Sequence, residues 1–197
     1  VLCNSGLDAA NTAKQFVQFG LNKKMKLAGI SLEDIYYKAL PLDAVVGSTF
    51  PVLWAPSVSP AAAKLAARLR KGIPGPISGR HYLGYMAAHS LFARIASAGT
   101  TDAEKLADAF ENYSFDAAKS TDATYHGCDH QCAQEVYGGA SVSSKQFEKT
   151  QFMYEIVAEV PAVESDGTCD SPWAKAATAT IAAQHPGTRA GYAPKMI

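Results

Sequence analysis

The segment Tyr125-His126-Gly127-Cys128-Asp129-His130-Gln131-Cys132 gathers two histidines, two cysteines and an aspartate, which together offer every donor type that zinc accepts. As a metal site it supplies one closely spaced cysteine pair. Structural zinc sites close a tetrahedron with a second pair from another backbone segment, and the distant donors here are Cys3, His81, His89, Cys169 and His185, none of them so paired. As an enzyme site, Cys128 or Cys132 would be the nucleophile and His126 or His130 its base, or the same cluster would be a zinc site. The competing reading is a signature without chemistry, and the elements that carry the cluster must decide between them.

The chain of 197 residues is 48% hydrophobic and 18% charged, enough for one globular domain or two small lobes with a real core. Lysine plus arginine equal aspartate plus glutamate at 18 each, so the chain carries no basic footprint for nucleic acid, which is not expected as a partner. No run reaches the roughly 18 apolar residues of a spanning helix. The start on Val1-Leu2-Cys3, with neither methionine nor signal-peptide pattern, leads us to expect further sequence upstream.

Along residues 1–50 strand and helix alternate. Val1 to Cys3 reads as a strand with Cys3 a buried thiol, and Asn4-Ser5-Gly6 as a turn. Asp8 to Phe19 places Ala10, Ala13, Phe16 and Val17 on a helical face that stops at Gly20. Met25 to Ile30 reads as a strand, Ser31 to Leu40 as a helix, and Ala44 to Phe50 as a third strand. This order predicts a parallel sheet with ligands at the carboxyl ends of its strands, where Asn4-Ser5-Gly6 and Gly29-Ile30-Ser31 lie. Capping alone would explain each serine equally well.

Pro51 to Pro60 breaks the rhythm around Trp54 and reads as a linker or crossing strand. Ser59 and Pro60 open a helix to Lys71. A long, largely buried helix spans Arg80 to Ala98, and a capping box of Thr101 and Glu104 opens another to Tyr113. Thr150 to Val160 alternates as a half-exposed strand, and beyond Pro172 a short helix is expected from Trp173 to Ala183.

Several segments in series carry a resemblance: Asn4-Ser5-Gly6 with Asp8, Phe19-Gly20-Leu21-Asn22-Lys23-Lys24-Met25-Lys26-Leu27, Gly84-Tyr85-Met86-Ala87-Ala88, Ala98-Gly99-Thr100-Thr101-Asp102, and Asp129-His130-Gln131 before Val136-Tyr137. The chain, from Val1 to about Val160, resembles the substrate-binding proteins of branched-chain amino acid ABC transporters. The resemblance implies an α/β, type I periplasmic-binding fold of two Rossmann-like lobes with parallel sheets, present here as its C-terminal portion. Residues 1–50 would belong to lobe 2, 51–130 to lobe 1, and 131–197 would return to lobe 2 and a tail. The implied function is an extracytoplasmic, periplasmic component of an uptake transporter that closes on a small solute. No cofactor is implied. The implied partners are a membrane permease and an N-terminal half of the same protein. A ligand-sensing receptor domain would use the same two lobes.

By the same resemblance, ligand contacts are expected at Asn4, Ser5 and Gly6, with Ser5 foremost. Relatives that hold amino acids offer a glutamate at the turn after the second strand. This chain has Ser31 there, with Glu33 displaced along the chain. Either Glu33 reaches in through a local shift, or the ligand lacks an ammonium group, as an aromatic or short organic acid does. At the start of the long helix, Arg80, His81 and Tyr82 offer a cation and a stacking surface where relatives place an aromatic wall. Arg80 would otherwise sit in solvent at a helix end that disfavours its charge. Asp129-His130-Gln131 becomes a structural turn. An oxidising compartment would let Cys169 form a disulfide with Cys128 or Cys132, worth about 2–4 kcal/mol.

Overall fold

The computed structural model describes residues 1–30, 32–127 and 130–162. Its elements are helix α1 (Gly6–Gln18), strand β1 (Thr49–Val52), helices α2 (Pro60–Leu69), α3 (Gly79–Ala98) and α4 (Ala103–Phe110), strands β2 (Ser114–Phe115), β3 (Ala123–Tyr125), β4 (Cys132–Ala133) and β5 (Val136–Ser141), helix α5 (Ser144–Thr150) and strand β6 (Tyr154–Val160). Short 3-10 helices cover Leu21–Lys23, Asp34–Ala39 and Leu42–Ala44. Contacts divide the chain into a first unit of Val1–Tyr85, Ala118–Ser120 and Val136–Val160, and a second whose described part is Met86–Ala117, 121–127, 130–135 and 161–162.

The first unit is built on a mixed sheet. Leu2 bridges Gly29 and Ala28 bridges Thr49, both in parallel, and the N–H of Thr49 donates to the Leu27 carbonyl at 2.9 Å. The parallel β-α-β order read from residues 1–50 is thus present, compressed into single bridges. Few apolar residues anchor these segments: Leu2 and Leu27 are buried, while Cys3 and Met25 are exposed. Cys3 is therefore not the buried thiol expected, because alternation along an extended chain turns it away from the face that buries Leu2. Beyond β1 the direction changes, and β1-β5-β6 pair antiparallel.

On one side lies α1, whose Ala9, Ala10, Ala13 and Phe16 are buried. Gly20 ends it with φ at 69°, and its N–H reaches the Val17 carbonyl at 2.9 Å. The core they join includes Leu27, Phe50, Val52, Tyr137, Phe147 and Met153. Two buried serines stitch it. The Ser141 hydroxyl donates to the Val45 carbonyl at 2.6 Å and accepts from the Ser48 N–H at 3.1 Å, while the Ser48 hydroxyl accepts from Leu27 N–H at 3.2 Å. Backbone groups that the short parallel strands leave over are satisfied in this way.

Three expectations change here. The helix drawn from Ser31 to Leu40 is the 3-10 helix Asp34–Ala39, because the Asp34 side chain turns inward to the Met153 N–H and Pro41 cannot continue a helix. The third strand is Thr49–Val52 rather than Ala44 to Phe50, since Leu42–Ala44 forms a 3-10 turn. Thr150 and Gln151 belong to α5 and its cap rather than to the last strand.

Helix α2 begins as expected, with the Ser59 hydroxyl accepting the Ala62 N–H at 3.0 Å and Pro60 in the first turn. Helix α3 is less buried than expected: Leu91 is 40% and Phe92 67% exposed. The cap of α4 is Asp102, accepting from Lys105 N–H at 3.1 Å, not Thr101, and Phe110 ends the helix before Asn112, whose φ is 56°. In the second unit β2-β3-β4 form a small antiparallel sheet. Tyr113, Phe115 and Tyr125 stack there and Phe110 meets Tyr125 edge-on, with the Arg94 guanidinium 4.3 Å from the Tyr113 ring centre.

Candidate functional site

The first unit contains a pocket of about 290 Å³ at the ends of the parallel segments, lined by Ile30, Leu32, Glu33, Asp34, Pro51, Val52, Leu53, Trp54, Gly79, Arg80 and Tyr154. Its floor is apolar and rigid. Leu32, Val52 and Trp54 are buried, and Trp54 is locked by stacking on Tyr82 at 5.0 Å between ring centres and by its indole N–H donating to the Ala118 carbonyl at 3.0 Å. At the rim Ile30 and Leu53 stay 61% and 41% exposed, so a solute lying over them would remove apolar surface from water.

Polar groups converge on one side. Arg80, in the first turn of α3, grips Glu33 with a fork: Nε donates to Oε2 at 2.8 Å and Nη2 to Oε1. This pairing answers the problem of a cation at a helix start, because the Glu33 carboxylate supplies the negative charge that end favours. The hydrogen bonds and charge of Glu33 raise the Arg80 pKa further. Deeper in, Asp34 is 5% exposed and accepts the Met153 N–H at 2.9 Å. Burial raises its carboxyl to about 7, against the lowering effect of that bond and of its own N–H, and the neighbouring Glu33 charge adds to the rise. The Tyr154 hydroxyl donates to the Leu32 carbonyl, and burial first, then the charges of Asp34 and Glu33, push its pKa well up.

Of the residues expected at the site, Glu33 and Arg80 come together here, and Ser31 lies outside the described residues. Asn4, Ser5 and Gly6 stand at the start of α1. The Asn4 amide donates to Thr12 Oγ1 at 2.8 Å while its Oδ1 is buried without a partner. Ser5 is exposed at the cap position, makes no side-chain cap bond, and precedes Gly6, whose φ is 63°. His81 folds back over the start of α3, its Nδ1 accepting the Ser78 N–H at 3.1 Å. Tyr82 is 1% exposed and stacked on Trp54. Sequence reasoning did not assign Asp34, Trp54 or Tyr154 to the site. The only sequence signal was their position beside turns and strand ends, and that signal is shared with ordinary core residues.

The described members of the cysteine and histidine cluster, His126, His130 and Cys132, follow β3 and open β4. His126 N–H donates to the Gln131 carbonyl at 2.8 Å and His130 N–H to the His126 carbonyl at 3.1 Å, with φ at 56° for His130. His130 Nε2 lies 3.4 Å from Glu111 Oε1. Cys128, Asp129 and Cys169 lie outside the described residues. Among the described residues there is no disulfide and no group of three metal-ligating side chains. A second pocket of about 260 Å³ lies in this unit, lined by Ala87, Ser90, Ala107, Phe110, Tyr125 and His130.

Solved structures share the fold. A periplasmic binding protein from Burkholderia mallei matches with a TM-score of 0.74 at 20% identity, over 85% of this chain and 45% of its own. A leucine-, isoleucine-, valine-, threonine- and alanine-binding protein from Brucella ovis, in a closed conformation, matches at 0.69 and 18% identity, over 85% and 44%. A solute-binding protein of an ABC transporter from Rhodopseudomonas palustris, in complex with 3,4-dihydroxybenzoic acid, matches at 0.64 and 18% identity, over 78% and 42%. The chain thus spans less than half the length of these relatives. Among curated proteins none matches significantly. The sequence model of the periplasmic binding proteins matches residues 1–146, and the chain belongs to that family.

Proposed function

We propose that this chain is part of the extracytoplasmic solute-binding component of an ABC uptake transporter, capturing a small organic solute for a membrane permease. The observation that carries the reading is the family match over residues 1–146, joined to a rigid apolar pocket with a few convergent polar groups in the first unit. The structural relatives include proteins for branched-chain amino acids and for an aromatic acid, so both classes are candidate cargo. Those relatives are about twice as long, which supports a working protein with an N-terminal half as partner, residues 1–50 and 131–197 forming part of one lobe and 51–130 part of the other. Asn4, Ser5, Gly6, Ser31, His81 and Tyr82 are proposed as further ligand contacts on the strength of the family resemblance, although His81 and Tyr82 do not line this pocket.

Binding without turnover is the expected output. A ligand present at 100 times its Kd stabilises the folded state by about 2.7 kcal/mol, so the intact protein should melt several degrees higher in the presence of its solute, which is recovered unchanged afterwards. Mass spectrometry of the small molecule that co-purifies identifies the cargo. Chemical conversion of that molecule by the protein, or a melting point indifferent to a broad panel of amino and organic acids, would refute the proposal.

A further inference from the structure

We propose that the pocket selects a monocarboxylic acid with an apolar body, and that Arg80, held at the rim by Glu33, is the residue that takes the carboxylate. This inference rests on the solute-binding reading and narrows it to a substrate class. A guanidinium carries five N–H donors. Among the described residues Arg80 is engaged through Nε and one donor of Nη2, both by Glu33, and the side chain is 59% exposed. The outward edge of the fork therefore remains available for a second carboxylate, in the planar geometry that arginine offers and lysine does not. Glu33, only 19% exposed, acts as a positioning residue: it removes the freedom of a long side chain before the ligand arrives, which lowers the ordering cost of binding.

The same pair argues against an amino acid. Both Glu33 oxygens are already held by Arg80, so the charge that would attract an ammonium group is largely neutralised, although the oxygens keep acceptor sites. The other carboxyl of the pocket, Asp34, is 5% exposed and turned to the Met153 N–H. Burial also keeps Asp34 partly protonated near neutrality, so it opposes an incoming anion less than an ionised carboxylate would. The remaining lining, with Trp54, Leu32 and Val52 buried and Ile30 and Leu53 exposed, suits a flat or branched hydrocarbon body.

Titration calorimetry of the intact protein at pH 7 with 3-phenylpropionate, benzoate, benzamide and phenylalanine tests this. The two acids should bind, benzamide and phenylalanine at least tenfold more weakly. Arg80→Gln should weaken the better acid at least tenfold and benzamide, which offers the guanidinium no negative charge, by less. Arg80→Lys, which retains the charge without the fork, should fall between, and it decides the matter should the glutamine variant fail to fold. Phenylalanine binding as tightly as phenylpropionate overturns the exclusion of amino acids, and acid affinity indifferent to both substitutions overturns the assignment of Arg80, either result leaving a solute-binding protein in place. Binding of neither acid overturns the carboxylate class, and the melting response to the broad panel then judges the solute-binding reading separately.

Discussion

Asp34 is the residue whose environment is most at odds with its chemistry. Its carboxyl is buried against Met153 and Tyr154, and that burial lifts its pKa from 3.8 to about 7. Below pH 3.8 the folded and unfolded chains both hold the proton. Between 3.8 and 7 only the folded chain holds it, so stability falls as pH rises through that window and levels off above it. A shift of this size corresponds to something on the order of 4 kcal/mol. Asp34→Asn keeps an acceptor for the Met153 N–H and cannot ionise. The variant should gain on the wild type steadily from pH 4 to pH 7, as read from urea unfolding at several pH values; parallel curves would mean that Asp34 ionises normally in the folded state. Nothing local in the sequence announces this. Asp34 reads as a helix-start acid, and its burial depends on Met153, 119 positions away. The Arg80–Glu33 fork, 47 residues apart, was legible only as two separate charges, each in need of a partner.

At the level of elements, legibility follows the strength of local signals. Helices α1 and α2 announce themselves through Gly20 and the Ser59-Pro60 pair, because caps and stops act on the immediate backbone. Helix α5 was missed: seven residues with one buried side chain, Phe147, show no usable period, although Ser143 caps Gln146 N–H at 3.3 Å. The change from parallel to antiparallel pairing was also hidden, since strand direction depends on which distant segments meet. Gly139 marks that junction. A methyl group there would stand 2.5 Å from Val52 Cγ2 and 2.9 Å from Tyr154 Cβ, and the β5–β6 register shifts between Gly138 and Gly139. Gly139→Ala must therefore spread β1, β5 and β6, at a cost of roughly 1–3 kcal/mol from overpacking. Ser59→Ala, which removes only a cap bond, should cost about 1 kcal/mol. Denaturant midpoints should rank the two in that order, and a neutral Gly139→Ala would mean that the strands are farther apart than described.

For the whole molecule, formal charge and surface composition pull in one direction. Lysine plus arginine and aspartate plus glutamate number 18 each, a net charge of zero at pH 7, so no long-range repulsion keeps copies apart. Apolar side chains remain outside at the same time: among the described residues Phe92 is 67%, Ile30 61% and Val157 58% exposed. Ile30 belongs to the pocket rim, where a bound solute would cover it, whereas Phe92 and Val157 lie outside that pocket. A chain with these properties should self-associate most readily near pH 7 and less at pH 5, below its sequence pI of about 7.1, where its net charge is positive. Dynamic light scattering at fixed concentration tests this, the apparent radius being expected to shrink on acidification while the protein stays folded. Substituting Phe92→Ser should produce a similar reduction at pH 7 without a change of pH, because it removes apolar contact area rather than adding repulsion. A radius independent of both pH and Phe92 would mean that neither charge nor this surface governs association.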